Sequence, residues 1–317
     1  MDLKKIKMGV GGSKIKNDKK EKSNLIKPKK LKIGDTIGII APCGKVDNRE
    51  YIDRAVKFFS GKGFNVKISD HILDKKRYLA GEDNIRLKEL HNFFKDPKID
   101  AIICLRGGYG AIRLIKNIDY EIIKKNPKIF CGFSDVSALL LMILKKTGLV
   151  TYHGPMIQSD FGQESLDDFT INNFFNVFQS DHLEYEGSKI YKSGICEGIL
   201  WGGNLSTVIT LCGQDFLPDE DFIFFTEDLN ESCYKIDRMF TQLLNIDKFR
   251  NHLKGLIIGT FSGNDNEEFL EELIKEIAEN LNIPVAGGFK ISHEKQKITL
   301  PIGVNAKLDG LKLIIYN

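Results

Sequence analysis

Apolar and polar positions change period along this chain, and the changes divide it. Thr36 to Ile40 is an apolar and β-branched run that predicts a buried strand. From Asp47 to Lys62 the period turns helical, with Tyr51, Ala55, Phe58 and Phe59 on one face. Phe64 to Ile68 predicts the next strand, Asp83 to Phe94 a helix, and Ala101 to Leu105 and Ile129 to Phe133 two more strands. Strands alternating with helices up to about residue 160 predict a parallel sheet covered on both faces. Gly162 to Asp168 is polar and precedes Phe169 to Phe178; from Ile190 short strands predominate, with helices near Tyr234 to Leu244 and Glu267 to Asn280. The expected organisation is α/β. A lysine-rich tail (1–30) leads into an N-terminal parallel-sheet domain (31–160). A linker (161–189) then joins it to a smaller C-terminal α+β domain (190–317).

In a parallel sheet, ligands bind at the carboxyl ends of the strands. Two of those ends carry unusual turns. In KIFCGFSDVSALLL, Lys128 to Leu141, a strand meets Gly132-Phe133-Ser134-Asp135 and a helical pattern follows at once. A serine on such a turn is lifted clear of the sheet at a helix N-terminus, the layout of a nucleophile elbow. Val136 stands where the second glycine of that pattern is usual. Helix capping by Ser134 or Asp135 is the plain alternative. The second turn is Arg106-Gly107-Gly108-Tyr109-Gly110, again between a strand and a helical run. Its glycines allow positive φ and close approach, so bare N–H groups can face a substrate. Neither a full dinucleotide fingerprint nor a phosphate-loop lysine completes this turn, so nucleotide binding is weakly supported. Downstream, the strand Phe222 to Thr226 ends in Glu227-Asp228, and His293 lies near the C-terminus. Serine, acid, histidine is a chain order found in hydrolases. Glu227 competes with Asp228 and Glu231 for the acid. Strand alternation sends Glu227 and Asp228 to opposite faces, so only one of them can face a cleft.

At this point the sequence resembles the LD-carboxypeptidases, the serine peptidase family that includes the microcin C immunity peptidases. The resemblance runs from about Leu31 to the C-terminus. It rests on GDTIGIIAP (from Gly34), LRGGYGA (from Leu105), GFSDVSALL (from Gly132), KTGLVTYHGPM (from Lys146), GILWGGNLS (from Gly198), EDLNESCYKIDRMFTQL (from Glu227) and SHEKQKITLPIG (from Ser292). It implies a class I amidotransferase-like N-terminal domain and a triad of Ser134, Glu227 and His293, with no metal and no cofactor. It also implies hydrolysis of the bond before the terminal D-alanine of a murein tetrapeptide during cell-wall recycling. An immunity peptidase acting on peptidyl or aminoacyl nucleotides is the alternative within the family; a non-catalytic small-ligand binder is the alternative of another class. A homodimer is the expected assembly. Ser292 departs from the family pattern, where glycine commonly precedes the histidine.

Charge development then assigns further roles. The oxyanion is expected at the Asp135 N–H and one N–H of the Gly107-Gly108 turn. Arg106 could meet a peptide carboxylate bidentately or brace the glycine turn. Trp201-Gly202-Gly203-Asn204 reads as a substrate-wall loop, with Trp201 as a flat apolar surface and Asn204 as donor and acceptor, or else as a strand terminus filling core. His153 either lines the cleft or is a structural histidine, and Cys131 sits among apolar neighbours that suggest packing.

Composition fits an enzyme of this kind. At 317 residues, 42% hydrophobic and 28% charged, the chain can bury a large core. No apolar run is long enough for a bilayer span and no apolar segment follows the basic N-terminus, so neither membrane nor export is expected. The six cysteines are scattered without a C-x-x-C pair, as in a cytoplasmic protein with no disulfide or zinc site. Residues 1–32 hold twelve lysines and three acids, which leaves the rest of a +3 chain at −6. No aromatics interleave with those lysines, so a disordered, solvated tail is expected rather than a nucleic-acid partner.

Overall fold

The structure, a computed structural model, describes residues 25–46 and 48–317. Most of the expected tail, residues 1–24, lies outside the described residues. Its last part does not hang free: the Ile26 N–H donates to the Gly148 carbonyl at 2.8 Å, and the Val150 N–H donates to the Ile26 carbonyl at 2.9 Å. The body therefore begins nearer residue 26 than residue 31.

Among the described residues, fourteen strands build two sheets. In chain order they are β1 (Thr36–Ile40), β2 (Asn65–Ile68), β3 (Ala101–Cys104), β4 (Ile129–Gly132), β5 (Thr151–His153), β6 (His182–Glu186) and β7 (Lys189–Lys192), followed by β8 (Ile195–Asn204), β9 (Phe222–Leu229), β10 (Leu253–Ser262), β11 (Val285–Gly287), β12 (Leu300–Ile302), β13 (Asn305–Asp309) and β14 (Lys312–Tyr316). The first sheet runs β12-β5-β4-β3-β1-β2; its first five strands in sequence are mutually parallel, and β12 closes its edge antiparallel to β5. The second runs β6-β14-β13-β8-β9-β10-β11-β7, parallel from β8 to β11 and antiparallel on both flanks. The fold is thus mixed α/β in two domains.

Two expectations change, and one choice between readings is made. The C-terminal sheet is the wider one, eight strands against six. The expected linker is structured: helix Asp168–Asn176 buries Ile171 and Phe174, and β6 is the edge strand paired with β14. Of the two readings of Trp201 to Asn204, the strand terminus holds: the segment is the end of β8, with Trp201 buried. Its glycines are there for contact, since a Cβ on Gly202 would fall 1.9 Å from the Phe225 carbonyl oxygen of β9.

Helix Ser137–Thr147, which follows Ser134, is buried almost all round. It packs against β5 of one sheet and β8 of the other, so both of its faces need apolar residues. That explains the unbroken ALLLMIL run and holds the Ser134 turn at the junction of the two domains. Among the described residues no helix is long and apolar enough to cross a membrane.

Candidate active site

Ser134 has φ +60°, one of three non-glycine residues with positive φ among those described. An L-residue there costs free energy and persists only where the surroundings enforce it. The enforcing contact is local. β4 ends at Gly132, where a Cβ would lie 2.8 Å from Val136 Cγ1. Val136 is fully buried in the turn Ser134–Val136 that leads into the helix. The valine that replaces the second glycine of the elbow is therefore the packing partner of the first.

The glycine turn lies directly on this serine. A Cβ on Gly107 would be 2.9 Å from Ser134 Oγ and 3.2 Å from the Asp135 backbone nitrogen. Gly108 has φ +93°. The Gly44 N–H donates to the Gly107 carbonyl at 2.9 Å, and the Asp135 carboxylate accepts from the Ala111 N–H at 2.9 Å. Burial pushes the Asp135 carboxyl up, against that hydrogen bond. Arg86, which no sequence motif marks, braces the turn. Its guanidinium donates to the Pro42 carbonyl and, at 3.1 Å, to the Gly110 carbonyl, and pairs with Asp83 at 2.6 Å. A lone arginine sharing a helix face with Leu90 and Phe93 was the available signal. Arg106 sits beside Gly44 and Gly108 and donates to the Lys45 carbonyl at 3.0 Å.

Glu227 and His293 meet across the second domain. Glu227 is fully buried on β9, and its Oε2 is 2.6 Å from His293 Nδ1. His293 comes from a loop that crosses β10 at Gly259, where a Cβ would lie 2.3 Å from the Ile291 carbonyl oxygen and 3.1 Å from Glu227 Cβ. Ser292 turns that loop with its own side chain: the hydroxyl donates to the Gln296 carbonyl at 3.2 Å and accepts from the Glu294 N–H at 3.1 Å. The His293 ring packs edge-on against Phe133, centroids 4.9 Å apart, so it abuts the residue preceding Ser134. On the opposite face of β9, Asp228 accepts from Asn204 Nδ2 at 2.8 Å and from the Ser206 N–H at 2.7 Å, and burial raises its pKa. Glu231 pairs with Lys235 at 3.1 Å.

The remaining candidates fall elsewhere. Asn204 is buried, and its side-chain oxygen caps helix Leu205–Ile209 through the Thr207 N–H at 3.1 Å. Trp201 is buried and lines a cavity of about 840 Å³ with Leu144, Gly148 and Asn305, which neither Ser134 nor His293 touches. A second cavity of about 530 Å³ is lined by His293. His153 is 3% exposed, wedged between Phe133 and Phe225; burial pushes its pKa down to about 4 against the pull of Glu227. Burial raises the Cys131 thiol well above its ordinary value, so no ready thiolate competes with the serine. Lys297 and Asp160 form a buried ion pair, with the ammonium 4.9 Å over the Phe133 ring. Among the described residues no three of His, Cys, Asp and Glu gather as a metal site.

A model of the LD-carboxypeptidase N-terminal domain matches residues 37–154, and one of the LD-carboxypeptidase C-terminal domain matches residues 197–308. The chain is 36% identical over 293 residues to a probable murein peptide carboxypeptidase of Bacillus subtilis, covering 89% of this chain and 91% of that one. It superimposes on an MccF-like protein from Bacillus anthracis with a TM-score of 0.86 at 30% identity, covering 92% and 99% of the two chains. It matches the microcin C7 self-immunity protein MccF, solved with aspartyl sulfamoyl adenosine, at a TM-score of 0.81 and 28% identity, over 92% and 98% of the chains.

Proposed function

The chain belongs to the LD-carboxypeptidase family and is a serine-type carboxypeptidase, and from that premise we propose that it hydrolyses the LD-peptide bond of murein tetrapeptides, releasing D-alanine through Ser134, His293 and Glu227. The observation that carries this reading is the contact of buried Glu227 with part-buried His293 at 2.6 Å, the imidazole abutting the residue before a serine held at φ +60°. Glu227 occupies Nδ1 and so fixes the tautomer that leaves Nε2 for the Ser134 hydroxyl. His293 takes the hydroxyl proton as Oγ attacks the scissile carbonyl, and Glu227 stabilises the imidazolium. The oxyanion is received by the Asp135 N–H and by an N–H of the Gly107-Gly108 turn; Gly107 lies against both Ser134 Oγ and the Asp135 nitrogen. The imidazolium then gives its proton to the leaving amine of D-alanine. Water, deprotonated by the same ring, attacks the acyl ester and frees Ser134.

The amidotransferase-like character of the N-terminal domain belongs to the same reading, supported by the parallel order β5-β4-β3-β1-β2 with the serine turn at the end of β4. So do action in the cytoplasm on cell-wall recycling products and assembly as a homodimer. A second reading, cleavage of aminoacyl nucleotides, is favoured by the likeness to MccF bound to aspartyl sulfamoyl adenosine. We put the murein substrate first on the higher identity to the Bacillus subtilis relative. Incubation with murein tripeptidyl-D-alanine and, separately, with an aminoacyl sulfamoyl adenosine decides between them. Release of D-alanine supports the first reading, and cleavage of the nucleotide alone replaces it with the second.

A further inference from the structure

Resting on the carboxypeptidase reading, we propose that Arg54 binds the terminal carboxylate of the substrate in the cavity beside His293. A carboxypeptidase cuts the last peptide bond, so the leaving nitrogen carries a free carboxylate whose carbon is roughly 2.5 Å away, two covalent bonds on. The imidazole that protonates that nitrogen has the carboxylate on its open side. His293 turns Nδ1 to Glu227, and the ring borders the cavity of about 530 Å³. The cations lining that cavity are Arg54 and Lys295. Lys295 is exposed, and its ammonium reaches Ser165 Oγ only at 3.4 Å. Arg54 is half-buried and oriented. Its Nε donates to the Gly162 carbonyl at 2.5 Å, its guanidinium lies 5.1 Å over the Tyr51 ring, and Nη1 is 3.4 Å from Glu50. An arginine so held still has fork donors on Nη2 for a carboxylate.

The loop that accepts from Arg54 packs tightly on its helix. A Cβ on Gly162 would lie 2.3 Å from the Tyr51 carbonyl oxygen, so only glycine lets this loop close on the helix that carries Arg54. Of the acids lining the cavity, one has a cationic partner and two accept hydrogen bonds from neutral donors, which do not cancel their charge. Asp160 is paired with Lys297, Asp167 accepts from the Thr170 N–H at 2.9 Å, and Glu294 accepts from Ser262 Oγ at 3.1 Å. Glu164 and Glu294 are both exposed. Arg106, the sequence candidate for the same task, lies on the glycine-turn side and does not line this cavity.

The test compares a tetrapeptide ending in D-alanine with the same peptide ending in D-alanine amide. Wild type should favour the acid. Arg54→Gln should lower the acid-to-amide ratio of kcat/KM by about 10- to 100-fold, chiefly through KM, as expected for a lost hydrogen bond to a charged group. Arg54→Lys, which keeps the charge and loses the fork, should lower it less; if the glutamine variant does not fold, the lysine variant carries the comparison. An unchanged ratio in the variant that folds overturns the assignment, and so does a ratio that collapses on Arg106→Gln or Lys295→Gln instead. If wild type cuts neither peptide, the carboxypeptidase reading fails and this inference with it, an outcome visible before any variant is compared.

Discussion

The buried carboxylate of Asp135 accepts the backbone N–H of Ala111 at 2.9 Å, which ties the residue after Ser134 to the residue after the glycine turn. The two groups proposed to receive the oxyanion are thereby fixed relative to each other by one side chain. Asp135→Ala should lower kcat by about 100-fold with a smaller change in KM, because small misplacements of such donors are felt mainly in the transition state. Asp135→Asn, whose amide oxygen can still accept, should lose less. Steady-state kinetics on a cleaved tetrapeptide measure both, and an alanine variant with wild-type kcat would show that the tie is structural only.

Ser134 joins function to strain. Ser134→Ala should lower turnover by on the order of 10³-fold or more, as loss of a triad nucleophile does. Ser134→Gly should be as inactive yet more stable, by up to about 1 kcal/mol, because glycine adopts φ +60° without the penalty an L-residue carries. Thermal melts of the three proteins check this. A glycine variant less stable than the alanine variant would mean that the turn is not strained.

Glu227 and its neighbour should separate by phenotype. Glu227→Gln keeps shape but no longer enforces the tautomer, so kcat should fall by about 10³- to 10⁴-fold. Asp228→Asn should act on stability, because Asp228 binds Asn204, Ser206 and the Leu229 N–H rather than His293. Equal kinetic losses in the two variants would contradict this division.

The two turns of the candidate site are legible in the sequence, and the reason is local. The Ser134 and glycine turns announce themselves where an apolar strand runs into glycine and a helical period begins. Glu227 is separable from Asp228 in the sequence only as an alternation; it is Glu227 that lies against His293, sixty-six residues on. What escaped was non-local. Gly202 and Gly203 leave loop and strand terminus both open because glycine pairs usually mark turns, whereas here β9 presses on β8 so closely that a side chain will not fit. β12 leaves the second domain to pair with β5 of the first, a crossing no local pattern encodes. Arg54 lay on a predicted helix, but only the fold carries it to the cavity beside His293.

His153 makes stability depend on acid. Burial lowers its pKa from 6.5 to about 4, so the folded protein holds the ring neutral where the unfolded chain would protonate it. The associated stability is present above pH 6.5 and is lost as pH falls toward 4, up to about 3 kcal/mol for one such group. Asp135 and Asp228, raised by burial, work in the opposite sense, and His293, Glu227 and Lys297 all act on the same ring. The comparison is therefore wild type against His153→Gln at each pH. Urea unfolding at pH 7 and pH 4.5 should show a smaller loss in the variant, and parallel losses would remove His153 as the cause.

The start of the folded body can be placed by two truncations. Residues 1–24 hold eight lysines and three acids, so deleting them should weaken retention on a polyanionic resin at low salt. It should leave the melting temperature and turnover unchanged. Deleting residues 1–30 should do more. Ile26 exchanges backbone hydrogen bonds with Gly148 and Val150 and packs partly buried against the core. Gly148 ends the helix that begins just after Ser134, and Val150 leads into β5. Lys30 pairs with Asp181 at 2.6 Å, but both side chains are largely exposed and the pair adds little. Losing the Ile26 contacts should therefore cost about 1–3 kcal/mol and lower the melting temperature by a few degrees. If both truncations melt together with the full chain, the Ile26 bridge contributes nothing and the body begins at Leu31.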